Sequence, residues 1–165
     1  MAFPCDSLLP TADEALFRAV SIAAPAPVVF RWLCQLRAAP YSYDWLDNLG
    51  QRSPRHLLAG LEVLATGQRV MTIFRLVDFQ YDHHLTLLLR QPRAKRLLGD
   101  VAVSYVVAPS APGHCRLIAK LLVCYPVWSR GRVLQRCFAW GDLLMMRKQL
   151  LTLKVLAETQ ARQPD

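Results

Sequence analysis

Residues 130–160 read RGRVLQRCFAWGDLLMMRKQLLTLKVLAETQ and contain no proline. A run of this length without a helix breaker predicts one helix of about thirty residues, which at ~1.5 Å per residue would be roughly 45 Å long. Such a helix has to bury its apolar side against another layer of secondary structure. The segment therefore predicts a fold in which a curved sheet packs around a long terminal helix.

Helical periodicity predicts which side of this segment is buried. Steps of about 100° per residue place Lys148 and Gln149 at the edges of an apolar side. Its members are Leu134, Phe138, Gly141, Met145, Thr152, Val155 and Leu156. The opposite side carries arginines with Trp140, Leu143 and Leu150 among them. Exposed tryptophan beside arginine is typical of interfaces, so we predict a homodimer through Trp140 and Leu143; a peripheral membrane contact or cover by the N-terminal segment are the alternatives.

The chain before this segment predicts a strand, short helices and then antiparallel strands. Residues 14–22 have strand character, and Pro27 can open a short helix over 28–37. Alternating polarity predicts further strands over 68–79, 84–90, 100–108 and 115–125. This order predicts an α+β domain over residues 14–160 with a meander sheet. Residues 1–13 are expected to be a loosely ordered leader and residues 161–165 a tail.

Composition limits the class of protein. With 165 residues, 53% of them hydrophobic, the chain can build one domain with a full core. It contains no apolar run of the ~20 residues needed to cross a bilayer, no signal-peptide pattern, and five scattered cysteines without a CxxC pair. We therefore predict a cytoplasmic protein with reduced thiols. Its formal charge of +8 suits an anionic partner, but no nucleic-acid motif accompanies it and nucleic-acid binding is not expected.

Two short motifs carry a resemblance to a known superfamily. The junction of the first strand and helix matches Ile-x-Ala-Pro-x-x-x-Val-Phe-x-x-Leu at every position, and Gly113-His114-Cys115-Arg116-Leu117 precedes the last strand. Trp45 supplies the tryptophan that commonly follows the first helix. With the terminal helix, these features resemble the START-like or SRPBCC superfamily, which includes lipid-transfer domains, pollen allergens and polyketide aromatase/cyclases. The matching residues at the junction are Ile22, Ala24, Pro25, Val29, Phe30 and Leu33.

The resemblance implies a helix-grip fold that encloses an apolar cavity between the sheet and the terminal helix. Alternate strand positions and the apolar side of the helix would line it. The predicted ligand-binding residues are Tyr43, Trp45, Thr72, Phe74, Leu87, Tyr105, Leu121, Phe138, Gly141 and Met145. Glycine in a helix interior costs ~1 kcal/mol relative to alanine, so Gly141 either makes room for a ligand or packs closely against a strand. A mostly aliphatic lining suits a lipid-like, isoprenoid or polyketide ligand.

No catalytic residue, cofactor or metal is assigned from the sequence. Asp82-His83-His84 is the most enzyme-like cluster, but adjacent strand residues point to opposite faces, so we expect a solvated turn there and no joint metal site. Asp44 or Asp47 could serve as an acid or base if desolvated, although carboxylates in solvent are the expected state.

Three functions remain open at this point. The first is a carrier or sensor of a small hydrophobic molecule, which predicts a cavity without paired titratable groups. The second is a cofactor-independent enzyme of the polyketide cyclase/aromatase type, which needs at least two convergent polar groups, such as Tyr43 or Asp44 with Tyr105. The third is a protein-interaction module that uses the basic, tryptophan-containing face of the terminal helix and has a filled core.

Overall fold

The computed structural model describes residues 2–42, 53–126 and 132–163, with the side chains of 132–134 and 137–139 excepted. Nine helices and strands organise these residues, together with short 3-10 helices at Pro4–Ser7 and Gln35–Arg37. The strands are β1 (Glu14–Ile22), β2 (Arg69–Val70), β3 (Phe74–Gln80), β4 (His84–Leu89), β5 (Asp100–Ala111) and β6 (His114–Cys124). The helices are α1 (Ala26–Cys34), α2 (Pro92–Leu98) and α3 (Arg132–Arg162).

The six strands form one antiparallel sheet in the order β1-β6-β5-β4-β3-β2. Alternate residues of the long central strands face inward; Val103 pairs with Leu121 and Tyr105 with Ala119, and α1 and α3 pack on this inner face. The predicted α+β architecture, with a curved sheet gripping the terminal helix, is confirmed.

Helix α1 connects β1 to the core of the domain. Pro25 is its N-cap and Pro27 lies in its first turn, where a missing N–H is tolerated. The helix buries Phe30 and Trp32 under the sheet. The following 3-10 helix contributes Gln35, whose fully buried side chain accepts from the Leu58 amide at 2.9 Å. This hydrogen bond fixes the chain after residue 53 against α1.

The region predicted as one strand over 68–79 is two strands. Met71 and Thr72 have φ values of 46° and 59°, which are unfavourable for residues with a Cβ and incompatible with a continuous strand. The chain therefore turns between β2 and β3, and Thr72 is exposed rather than fully buried. Period-two alternation persists through this turn, which is why the sequence pattern did not reveal it.

Helix α2 was not predicted. Its start has a recognisable signal, because the Gln91 side chain accepts from the Ala94 amide and Pro92 lies in the first turn. The helix ends at Gly99, which has a φ of +83°. A Cβ on Gly99 would lie 2.0 Å from the Cys124 carbonyl oxygen, so only glycine permits this approach to the end of β6.

The buried side of α3 differs from the predicted one by roughly one residue, or 100° of rotation. Val155, predicted to be buried, is 60% exposed, whereas Leu150, predicted to face outward, is 3% exposed. The residues that α3 buries are Met146, Gln149, Leu150, Leu153 and Ala157. Apolar residues occur on several sides of this helix, so periodicity alone does not select one face. In the described part of the chain, no helix is both long and apolar enough to cross a membrane.

The N-terminal segment packs against the outer face of the sheet. Phe3 and Cys5 are buried there in a second apolar cluster with Ala102, Val106 and Leu122. The Cys5 amide donates to Ser104 Oγ at 3.0 Å, and Lys120 pairs with Asp6. The Lys120 ammonium group also lies 5.3 Å from the Phe3 ring centroid. The segment is thus ordered, unlike the loose leader that was predicted.

Candidate functional site

A cavity of about 390 Å³ lies between the inner face of the sheet and α3. The sheet contributes apolar side chains to the cavity wall, and α3 contributes residues from three successive turns. The lining consists of Leu16, Pro40, Ser42, Met71, Thr72, Ile73, Phe74, Leu98, Val101, Val103, Tyr105, Leu121, Val123, Tyr125, Gly141, Asp142, Met145, Met146 and Gln149. Most of this wall is aliphatic or thioether, with a small number of polar groups.

The structure places six of the ten predicted site residues on this wall: Thr72, Phe74, Tyr105, Leu121, Gly141 and Met145. Leu87 is fully buried in the core and does not border the cavity. Tyr43 and Trp45 lie outside the described residues, as do Asp44, Asp47 and the side chain of Phe138. Ligand binding by all ten predicted site residues stays a prediction.

Gly141 borders open space. A Cβ built on this glycine meets no heavy atom within 4 Å, so the described residues offer no strand packed closely against it. Two roles were predicted for Gly141, making room for a ligand and packing closely against a strand, and this geometry fits the first.

A first group of polar side chains lies where β5, α3 and the segment after α1 meet. The fully buried Tyr105 hydroxyl donates to Gln149 Oε1 at 2.7 Å. Gln149 Nε2 in turn donates to the Pro40 carbonyl at 2.6 Å. Burial raises the pKa of Tyr105, and nearby Asp142 raises it further, so this phenol stays protonated and can act as a donor. Ser42 lines the same cavity, and its buried Oγ has no hydrogen-bond partner among the described residues.

A second polar group is centred on Asp142. Its Oδ2 lies 3.4 Å from an Arg18 guanidinium nitrogen, and both side chains are about one-fifth exposed. Desolvation raises the pKa of Asp142 to about 6; Arg18 lowers it, and Glu14 adds to the rise. Nearby, the Tyr125 hydroxyl donates to Glu14 Oε2 at 2.5 Å. The apolar cavity thus holds a carboxyl group that titrates close to neutral pH.

Four residues at or beside the cavity were not predicted as site residues: Asp142, Arg18, Ser42 and Tyr125. Two signals were present for the first pair. Asp142 is an acidic residue inside an otherwise apolar helical stretch, and Arg18 occupies an inward position of β1 between Leu16 and Val20. A charged residue of each sign at buried positions indicates a pair across the core.

The histidine cluster lies away from the cavity, on the outer face of the sheet. His84 is 9% exposed, its Nε2 lies 3.0 Å from Asp78 Oδ2, and its Nδ1 lies 3.0 Å from His83 Nδ1. The two rings meet because the chain turns at Asp82, which has a φ of 59°. The expectation that adjacent histidines point apart was therefore wrong. Within the described residues, no three His, Cys, Asp or Glu side chains are placed to hold a metal ion.

Comparison with known proteins places the fold. No protein-family model and no curated protein matches the sequence. Solved structures do match: a START superfamily protein from Mycobacterium smegmatis has a TM-score of 0.51 at 13% identity, with 89% of this chain and 96% of that chain covered. The chain has the helix-grip fold of START-like proteins. The predicted resemblance is thereby confirmed at the level of the fold.

Other structures with the START-like fold include enzymes. Norcoclaurine synthase from Thalictrum flavum has a TM-score of 0.57 at 10% identity over 91% of this chain and 87% of its own. The di-domain aromatase/cyclase StfQ of the steffimycin biosynthetic pathway has a TM-score of 0.57 at 13% identity over 95% of this chain. This chain spans about half of StfQ, 54%. At these identities the likeness concerns the fold alone.

Proposed function

We propose that this START-like protein binds a small hydrophobic molecule, of a lipid-like, isoprenoid or polyketide-like class, in the cavity between the sheet and α3, and that it carries or senses that molecule. The observation behind this proposal is the cavity of about 390 Å³ with its mostly apolar wall. Ligand pockets are typically concave, largely apolar and supplied with a few convergent polar groups. Its size falls within the range usual for small-molecule sites.

Native mass spectrometry of the purified chain, followed by solvent extraction, tests this proposal. A retained hydrophobic molecule at near-stoichiometric amount is the expected result, and Met145→Trp should abolish its retention by filling the cavity. Leu144→Ala is the control. Leu144 is exposed on the same helix, so this variant should still retain the molecule. Equal retention by wild type and Met145→Trp would contradict binding in this cavity.

The second candidate is a cofactor-independent cyclase or dehydratase that uses the same cavity. Asp142 favours it, because a general base is most effective when its pKa lies near the working pH. Tyr105 and Tyr125 border the same cavity, and either could donate to a developing enolate oxygen by leaving its present acceptor, Gln149 or Glu14. Perturbed ionisable groups in a cleft also mark functional sites in general.

Product analysis separates this candidate from carriage. If the protein is an enzyme, the molecule recovered after incubation differs in mass from the molecule added, or its carbon-bound hydrogen has exchanged with solvent deuterium. Asp142→Asn should then abolish this change while binding persists. An unaltered molecule after long incubation supports carriage or sensing and contradicts the enzyme.

The interaction-module alternative required a filled core, whereas the described residues border a cavity. Homodimerisation through Trp140 and Leu143 stays a prediction; Trp140 is 65% exposed and Leu143 is half-buried. A cytoplasmic location likewise stays a prediction from the sequence.

A further inference from the structure

The cavity wall carries its polar groups at two separate places along α3. Asp142 and Gln149 are seven residues apart, so their Cα atoms are about 10.5 Å apart along the helix axis and on nearly the same side of it. Met145 and Met146 lie between them on the same wall. The wall is therefore polar, apolar and polar again along its length. A molecule lying alongside α3 would meet the two polar places with its two ends.

The polar place at the Gln149 end of the cavity wall can accept or donate one further hydrogen bond. The Tyr105 proton is used on Gln149 Oε1, but the phenol oxygen can still accept. Ser42 Oγ is buried on the same wall without a partner in the described part of the chain, and Ser42 is 9% exposed. A buried hydroxyl without a partner is unfavourable unless a ligand supplies one. A ligand hydroxyl supplies a partner for Ser42, because it can donate to Ser42 Oγ or accept from it.

The Asp142 end calls for a hydrogen-bond donor. Its Oδ2 is occupied by Arg18 at 3.4 Å, while Oδ1 has no hydrogen-bond partner among the described residues. An ionised carboxylate only accepts, so an anionic ligand group would be repelled there. A cationic group would instead be repelled by the Arg18 guanidinium. A neutral hydroxyl or phenol is the donor that suits both charges.

We infer that the cavity selects elongated hydrophobic molecules that carry a neutral hydroxyl group at each end, with one bound at Asp142 and the other at the buried polar group of Ser42 and Tyr105. This inference rests on the proposed binding function and narrows the ligand class. The two methionines suit the aromatic or alicyclic body of such a molecule, since thioethers adapt to irregular shapes and contact rings favourably.

Fluorescence titration of the full chain with stilbene, 4-hydroxystilbene and 4,4′-dihydroxystilbene tests the inference. These rigid probes share one body and differ only in the hydroxyl groups at their ends. For the wild type we expect the dihydroxy probe to bind at least tenfold more tightly than stilbene, with the monohydroxy probe between them.

Two variants test the placement of the hydroxyl groups. Asp142→Asn keeps the shape of the side chain and removes its charge, and Ser42→Ala removes a hydroxyl that bonds to no described residue. Each should reduce the advantage of the dihydroxy probe over stilbene to about threefold or less, with stilbene affinity unchanged. Leu144→Ala, exposed on α3, is the control and should keep the full advantage.

Three results would overturn the inference. Equal affinity for all three probes would contradict the inferred preference for hydroxyl groups, while the proposed binding of hydrophobic molecules would still stand. A full advantage retained in both variants would show that other groups recognise the hydroxyls. Failure of every probe to bind would also reject it, and the mass-spectrometry experiment then decides separately whether the proposed function fails as well.

Discussion

Burial in the cavity wall makes ionisation of Asp142 costly, and this has a consequence for stability. Desolvation raises its pKa from 3.8 to about 6 in the folded protein. The folded state therefore binds a proton between these pH values when the unfolded state does not. The contribution of this group to stability is fully present below about pH 4 and is lost as the pH rises through 6.

Asp142→Asn should accordingly stabilise the protein at pH 8 but not at pH 4. We expect a gain on the order of 1–2 kcal/mol at pH 8, because removing the charge relieves the desolvation cost while Arg18 loses its charged partner. Urea unfolding at both pH values measures this difference. A loss of stability at pH 8 would contradict the prediction and would mean that the ion pair with Arg18 outweighs the cost of burial.

Gly141 provides the second prediction at the scale of one residue. Gly141→Leu should weaken binding of the cavity ligand at least tenfold while the free energy of unfolding stays equal or rises by up to ~1 kcal/mol, since glycine is a poor helix former. The new side chain would enter space in which no heavy atom of the described residues lies within 4 Å of its Cβ. Ligand titration and urea unfolding of the same sample measure both effects.

Gly141→Ala is the matched control for that change. It should give a similar gain in stability with little change in affinity, because one methyl group fills little of the cavity. If both variants lose more than ~1 kcal/mol, Gly141 is needed for close packing, and its role beside the cavity is wrong.

At the scale of elements, the N-terminal segment completes the sheet. The outer faces of β5 and β6 carry Ala102, Val106 and Leu122, and Phe3 and Cys5 cover them. Without this cover the sheet would present an apolar patch to solvent on the side opposite α3. The segment therefore belongs to the folded unit on physical grounds.

Phe3→Ala should destabilise the protein by about 2–4 kcal/mol, because it removes a large side chain that is 6% exposed. Phe17→Ala is the control: its ring stacks edge-on against Phe3 at 5.8 Å but is 52% exposed, so we expect a loss of about 1 kcal/mol. Thermal or urea unfolding measures both. Equal losses would mean that the ring pair matters more than the burial of Phe3.

Element boundaries also show which features of the fold a sequence pattern can predict. The terminal helix, β1 and α1 follow from proline positions and periodicity, which act within one segment. The break between β2 and β3 at Met71 and Thr72 depends instead on positive φ values in residues that do not favour them. The contacts of the surrounding structure hold this turn, so no local signal marks it.

At the scale of the whole molecule, α3 presents an apolar stripe to solvent. Its exposed members are Trp140, Leu144, Leu151 and Val155, and Arg147 and Lys148 flank them. This stripe retains Trp140 of the predicted dimer contact, whereas Leu143 is half-buried beside it.

Analytical ultracentrifugation tests the predicted dimer. Wild type should sediment as a dimer at micromolar concentration, and Trp140→Glu should shift it to monomer by placing a charge in the contact. Val63→Glu, at a residue 70% exposed outside α3, should leave the dimer intact. A wild type that is monomeric at all concentrations would reject the dimer.

Local features of the sequence predicted the fold class, the long terminal helix and three of the strand residues on the cavity wall, Phe74, Tyr105 and Leu121, because proline placement and period-two alternation are local properties of a strand or helix. Tertiary structure decided the rotation of α3 and the position of the N-terminal segment. It also brought Arg18 to Asp142 across 124 residues of chain. These depend on which surfaces meet, since a helix that is apolar on several sides has no preferred face until a sheet is packed against it.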